Sequence, residues 1–145
     1  TALGAGTGTS VWDGAAPLDA LLAGLPEPLT AAVHTLPPPP SRALADSSPD
    51  DFTAALDAAT AGAVTLREAL VTLPEPAALV LFTSTAGVWG GAGQAVAAAA
   101  GAWLDALAEQ HAAGGLPATA VAWGPWGEDD PDDRAREDQL RHNGL

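Results

Sequence analysis

Ser84 and His34 are the two residues whose types could form a nucleophile and its general base. Each lies at or near the end of an apolar segment, residues 78–83 and 29–36, so both could reach one strand-end crevice. However, the Gly-x-Ser-x-Gly turn that presents many serine nucleophiles is missing around Ser84. A serine hydroxyl that bonds the backbone of its own loop is therefore the favoured interpretation. The sequence has no Cys, which excludes thiolate chemistry, and a metal site is not expected because its histidines are widely spaced: His34, His111 and His142.

The segment around Ser84 carries a longer pattern. From residue 81 it reads Leu-Phe-Thr-Ser-Thr-Ala-Gly-Val-Trp-Gly-Gly-Ala-Gly-Gln, followed by an alanine-rich stretch. This segment closely resembles the active-site segment of ketoreductase domains from modular type I polyketide synthases. Those domains have Ser, Tyr and Asn at the positions that correspond to residues 84, 97 and 101. Here Ser84 is present, but Ala97 occupies the Tyr position and Gly101 the Asn position.

The resemblance also implies a Lys that is absent. In the family, Tyr protonates the substrate carbonyl, Lys lowers the pKa of that Tyr, Ser bonds the substrate oxygen and Asn holds a relay water. The family Lys lies in a helix written roughly Ala-Ala-Lys-x-x-Gly-Ala, which places it here at Ala59 or, with a one-residue shift, at Thr60. A carbonyl that accepts a hydride needs a proton donor within hydrogen-bond reach. Because three of the four side chains are missing, the resemblance implies a ketoreductase framework that no longer reduces.

Composition and charge restrict the partners. The hydrophobic content of 48% suits a single domain with a buried core, and no apolar run approaches the length of a membrane span. The N-terminus has no basic region typical of a secretory signal, which together with the lack of Cys favours a cytoplasmic location.

The net charge of −13, with only 5 Lys and Arg, argues against binding of nucleic acid and of a phosphorylated dinucleotide. We therefore expect no bound cofactor, although active relatives use NADPH.

Short β-type segments alternate with helical patterns, which is typical of a parallel sheet with crossover helices. The proline run 37–40 predicts a stiff extended loop to about residue 48, and residues 87–93 predict a Gly-rich loop. The absence of an initiator Met suggests that Thr1 lies inside a longer polypeptide. The predicted strands are residues 7–12, 29–36, 78–83 and 118–123, and the predicted helices are residues 17–25, 49–73, 94–112 and 133–142.

The resemblance covers about residues 5–145 and implies an incomplete α/β fold: the later strands of a Rossmann-like, doubly wound parallel sheet of the short-chain-dehydrogenase type. We interpret residues 1–145 as the C-terminal portion of a ketoreductase-like domain. The strand–Gly-x-Gly-x-x-Gly–helix unit that binds pyrophosphate is not seen, since the Gly-rich residues 4–8 precede a predicted strand. Without the first strands, right-handed crossovers place the helices on one sheet face. The strand 78–83 is apolar on both faces, so the other face should be covered from outside the chain.

These observations predict a non-reducing ketoreductase-like domain with an architectural role in a polyketide synthase, a multienzyme of antibiotic biosynthesis. Its expected partners are the other synthase domains, including the acyl carrier protein. Three alternatives stay open: a fragment of an NADPH-dependent β-ketoacyl reductase, a redox-inactive epimerase of carrier-bound β-ketoacyl intermediates, and a module that binds a neighbouring domain through the small-residue helix 95–101. In the family, epimerase activity accompanies a retained Tyr, so Ala97 counts against the second.

Overall fold

The computed structural model describes residues 18–35, 39, 41–124, 138 and 141. The predicted strand 7–12 lies outside this part of the chain, and so does the predicted helix 133–142 apart from Asp138 and Arg141, which are helical. The elements, in chain order, are α1 (Leu18–Ala23), β1 (Ala31–Thr35), a 3-10 turn (Leu44–Asp46), α2 (Pro49–Val71), β2 (Ala78–Ser84), α3 (Ala86–Trp89), α4 (Ala95–Ala113) and β3 (Ala118–Trp123).

The strands form one parallel sheet in the order β1-β2-β3. Parallel neighbours cannot be joined by a tight turn, and here the long helices α2 and α4 make the two connections. This arrangement confirms the predicted α/β class with a Rossmann-like parallel sheet. Among the described residues, no helix is long and apolar enough to cross a membrane.

Local sequence signals explain how α2 begins and ends. The Ser48 hydroxyl accepts a hydrogen bond from the Asp51 amide at 3.1 Å, and the Asp51 carboxylate accepts one from the Ser48 amide at 3.4 Å. With Pro49 in the first turn, this reciprocal cap satisfies two amide groups that the helix leaves unpaired. The helix ends at Val71, two residues before the predicted end, because Pro74 disfavours helical backbone at the residue before it.

Several further boundaries differ from the sequence-based predictions: α1 ends at Ala23 instead of residue 25, and α4 spans Ala95–Ala113 instead of residues 94–112. The strand predicted from residue 29 begins two residues later, at Ala31, and residue 36 of that prediction lies outside the described residues. The loop predicted to be extended up to residue 48 contains the 3-10 turn Leu44–Asp46. The predicted Gly-rich loop 87–93 begins inside a helical turn, α3, in which the Val88 and Trp89 amides both donate to the Thr85 carbonyl at 3.0 Å. Gly90 ends this turn with a positive φ of 75°, a conformation that glycine adopts without a steric penalty.

The core lies on one face of the sheet. Leu79 and Leu81 of β2 are fully buried, and they belong to one apolar cluster with Leu70 of α2 and with Leu104 and Leu107 of α4. Since side chains alternate along a strand, Val80 and Phe82 point to the opposite face. On that face Val33 is 56% exposed, and Trp123, 39% exposed, contacts Phe82 edge-to-face with ring centroids 5.3 Å apart. Both long helices therefore pack on the face opposite to Val33 and Trp123.

Candidate functional site

Ser84 is the last residue of β2 and is half-buried. Its Oγ accepts a hydrogen bond from the Ala86 amide at 3.2 Å, the first amide of α3. The hydroxyl therefore holds the chain where it turns from β2 into α3. Its hydrogen-bond capacity is partly used by the loop backbone.

Ala97 and Gly101 lie one turn apart near the start of α4, so they share one face of that helix. Gly101 is buried, and a Cβ built on it would lie 3.2 Å from the Gly87 Cα and 3.4 Å from the Ser84 carbonyl oxygen. The structure thus brings Gly101 and Ser84 together, with Ala97 on the adjoining turn. Because the backbone of α3 packs directly on Gly101, a side chain at this position would require α3 to shift by a few tenths of an ångström.

Ala59 and Thr60 lie in α2. Thr60 is buried, and its Oγ1 donates to the Leu56 carbonyl oxygen at 3.0 Å, so the hydroxyl is satisfied within its own helix. Gly62, two residues further on, lies against His34, whose Nε2 is 3.0 Å from a Cβ built on Gly62. Since His34 is next to the last residue of β1, this part of α2 lies near the carboxyl end of that strand, the edge at which ligands bind in open α/β sheets.

His34 is half-buried and its Nδ1 has no hydrogen-bond partner. Burial lowers the pKa of its imidazole below the usual value, since desolvation disfavours the charged form. His34 pairs in register with Leu81, on the sheet face that packs against the helices, whereas Ser84 lies three residues further along β2 and points to the other face. The Ser84–His34 pair considered from the sequence is therefore not formed.

The segment before α2 is fixed to the turn before α4 by contacts that the sequence patterns did not predict. The Arg42 amide donates to the Gly93 carbonyl at 2.8 Å, and the Ser41 hydroxyl donates to the same oxygen at 3.3 Å. The Arg42 guanidinium also forms an exposed ion pair with Asp51 at 3.3 Å. No sequence signal pairs residues 52 positions apart, because the pairing depends on how the two loops meet at the carboxyl edge of the sheet.

Solved structures of known reductases share this fold. In fold, the chain is similar to a short-chain dehydrogenase/reductase from Vibrio parahaemolyticus, with a TM-score of 0.60 over 88% of this chain and 63% of that chain at 19% identity. The nearer likeness is to ketoreductases. A structure of A-type ketoreductases from a modular polyketide synthase gives a TM-score of 0.72 at 42% identity, and a C2-type ketoreductase gives 0.74 at 40% identity. These likenesses cover 82% and 86% of this chain, but 26% and 27% of those chains.

Sequence comparisons indicate the same family as the structural comparisons. A family model described as the KR domain matches residues 15–128. The chain is 53% identical over 100 residues to polyketide synthase GfsA of Streptomyces halstedii, and 42% identical over 131 residues to pikromycin polyketide synthase component PikAII of Streptomyces venezuelae. It belongs to the KR domain family, the ketoreductase domains of polyketide synthases. The alignments cover 69% and 86% of this chain, but 1% of GfsA and 4% of PikAII.

The residues at the four family positions do not fit a nicotinamide cofactor in a reducing role. Ala97 has no donor or acceptor in its side chain, and Gly101 has no side chain and is packed against Gly87. Neither Ala59 nor Thr60 can hold a positive charge, and the Thr60 hydroxyl donates into its own helix. Among the described residues, no cluster of His, Asp or Glu has the arrangement of a metal site.

Proposed function

We propose that this chain is the C-terminal portion of a ketoreductase domain that has lost reductase activity and serves as an architectural part of its synthase. The observation that carries the proposal is the state of the four family positions. Three of them lack a group that could transfer or relay a proton. The fourth, Ser84, uses its hydroxyl oxygen to accept from the Ala86 amide.

The energetic argument is that the missing groups act together. A positioned proton donor contributes on the order of 10²–10⁴-fold to such a step. A Tyr at position 97 would lack the Lys that lowers its pKa and the Asn that organises the relay water. We therefore propose that the carrier-bound β-ketone passes this domain unreduced.

The proposal extends to the partners and the setting of the domain. We propose that it binds other domains of the synthase, including the acyl carrier protein, and acts in the cytoplasm without a cofactor. Support comes from the sheet face that carries Val33 and Trp123, on which these apolar side chains are 56% and 39% exposed. A net charge of −13 favours partners whose contact surfaces are neutral or basic.

Reduction and epimerisation can be separated in one experiment on the full chain. The chain is incubated with NADPH and a 2-methyl-3-ketoacyl thioester deuterated at C2, and ketone reduction and loss of deuterium are followed by mass spectrometry. We expect neither reaction, and a fluorescence titration with NADPH should show no binding at micromolar concentrations. Reduction would establish the NADPH-dependent reductase instead, and loss of deuterium without reduction, at a rate above that of a protein-free sample, would establish the epimerase.

The variant Ala97→Tyr sharpens this experiment. Restoring Tyr alone should leave reduction undetectable, because Gly101 does not supply the Asn function and neither Ala59 nor Thr60 supplies the Lys function. The matched variant Ala97→Phe has nearly the same volume without the hydroxyl and controls for steric effects. If Ala97→Tyr reduced the thioester and Ala97→Phe did not, the rest of the site would be intact and the proposal would be wrong.

A further inference from the structure

Two polar residues occupy core-facing positions near the C-terminal ends of α2 and α4. Arg67 lies one turn after the buried Ala63 and three residues before the buried Leu70. His111 lies one turn after the buried Leu107, in the last turns of α4. Because residues three and four apart share a helix face, both side chains lie on the apolar faces of two helices that pack against each other.

Neither side chain has all the hydrogen-bond partners that a buried polar group needs. His111 is only 2% exposed, and both of its ring nitrogens are buried without a partner. The Nε of Arg67 is also buried without a partner. Among the described residues, no carboxylate forms an ion pair with either group. Most buried polar groups in proteins are hydrogen-bonded, so three unpartnered nitrogens at one helix interface require an explanation.

The surroundings of His111 favour its neutral form. Burial lowers the pKa of the imidazole, and the positive charge of Arg67 lowers it further. In the part of the chain that the structure describes, the strands that α4 packs against bring no compensating charge, since β2 and β3 contain no titratable residue, and the turn 114–116 has none. The nearest acids in sequence, Glu68 of α2 and Glu109 of α4, are exposed.

We propose that His111 acts as an acid-sensitive latch, which keeps the last turn of α4 packed on the core while its ring is neutral. Protonation would bury a positive charge that no described carboxylate or hydrogen-bond acceptor compensates, so a protonated His111 must leave its site. The His111 carbonyl accepts from the Gly114 amide at 3.1 Å and from the Leu116 amide at 3.3 Å, in the turn that leads into β3. Release of His111 therefore opens this turn first.

The lowered pKa of His111 determines whether the latch weakens or strengthens as the pH falls. The open state binds the proton at the ordinary histidine pKa of about 6.5, and the closed state binds it only at a lower pH. The latch is thus fully closed above about pH 6.5, and it weakens as the pH falls toward the pKa of the closed state. One proton is involved, so the ratio of closed to open molecules changes by at most about tenfold per pH unit.

Hydrogen exchange of the full chain between pH 7.5 and 5 tests the latch, with rates converted to protection factors to remove the intrinsic pH dependence. The protection of the Gly114 and Leu116 amides should fall by up to about tenfold per pH unit below pH 6.5. His111→Gln should remove this dependence, and Arg67→Met should make it shallower. The control His34→Gln removes the half-buried histidine, whose pKa is also lowered, and it should leave the behaviour of these two amides unchanged.

A titration of the His111 ring by NMR in the unmodified chain gives a second test that does not depend on a variant folding. A pKa at or above 6.5 for this ring would overturn the proposal. It would also be overturned if Gly114 and Leu116 lost protection equally in His111→Gln, or if the Leu81 amide of the core lost protection in parallel with them. Parallel loss would mean that acid unfolds the domain globally and that no local latch exists.

Discussion

Alanine substitutions at Gly87 and Gly101 test how closely α3 packs on α4, and hence whether the family Asn could return to position 101. A Cβ at Gly101 would lie 3.2 Å from the Gly87 Cα, which is tighter than most contacts of real Cβ atoms. A Cβ at Gly87 would lie 2.9 Å from the Ala102 amide nitrogen and 3.0 Å from the Gly101 carbonyl carbon. All these neighbours are backbone atoms, so relief requires one helix to move.

The expected change in the free energy of unfolding is the difference between two opposing effects of the added methyl group. Overpacking a close contact costs about 1–3 kcal/mol, whereas replacing a glycine inside a helix by alanine gains about 0.5–1 kcal/mol. Gly101→Ala should therefore destabilise the chain by about 0–2.5 kcal/mol. Gly87→Ala should cost more, about 1–3 kcal/mol, because its contact is shorter and α3 is only one turn long.

Gly62→Ala is the matched control, since Gly62 is also a helical glycine. Its added Cβ would meet only the His34 ring, 3.0 Å from Nε2, and a side-chain end can rotate away. Urea unfolding of the three variants at pH 7.5 should give the stability order Gly62→Ala, Gly101→Ala, Gly87→Ala, with the last the least stable. If all three were as stable as the unmodified chain or more so, α3 would not be packed on Gly101, and the steric argument against a side chain there would fail.

Three further substitutions probe single interactions by the same unfolding measurement. Ser84→Ala removes the acceptor of the Ala86 amide and should cost about 1 kcal/mol, and a neutral result would mean that this hydrogen bond contributes nothing to the turn. Thr83→Val deletes the hydroxyl that donates to the Asp105 carboxylate at 3.0 Å, so we expect a loss of about 1–2 kcal/mol that a cycle with Asp105→Ala should show to be coupled. Val33→Thr should change the stability of the full chain by less than about 0.5 kcal/mol because Val33 is exposed, and a larger loss would show that its sheet face is covered.

The elements that the sequence predicted well are those with strong local signals. Residues 78–83 were predicted as a central parallel strand because they are apolar throughout, and β2 spans Ala78–Ser84. Ser48 and Pro49 marked the start of α2, where the structure has a complete reciprocal cap with Asp51. In each case the determining interaction lies within a few residues of chain, which is why a single sequence suffices.

The features that the sequence did not predict depend on contacts between distant segments. The glycines around α3 read as a loop, and the close approach of Gly87 to Gly101 is visible only once α3 and α4 are placed together. The hydrogen bonds from Ser41 and Arg42 to Gly93 have the same origin. The burial of the Arg67 Nε is likewise visible only in the folded chain, where α2 packs on α4.

The pattern of retained and lost residues at the family positions follows from what each position does for the fold. Ser84 caps the first amide of α3, so its loss would leave a backbone donor without its partner whether or not the domain reduces a ketone. Residues 97 and 101 have no such structural task here, since α4 starts without a side-chain cap and Gly101 packs against Gly87 through backbone atoms. The resemblance places the family Lys at Ala59 or Thr60, and Thr60 satisfies its hydroxyl inside α2, where a buried Lys would need a partner for its charge. On the proposed function reduction is no longer selected, and the stability of the turn after β2 is then a sufficient reason to retain Ser84, whereas the other three positions need no functional group.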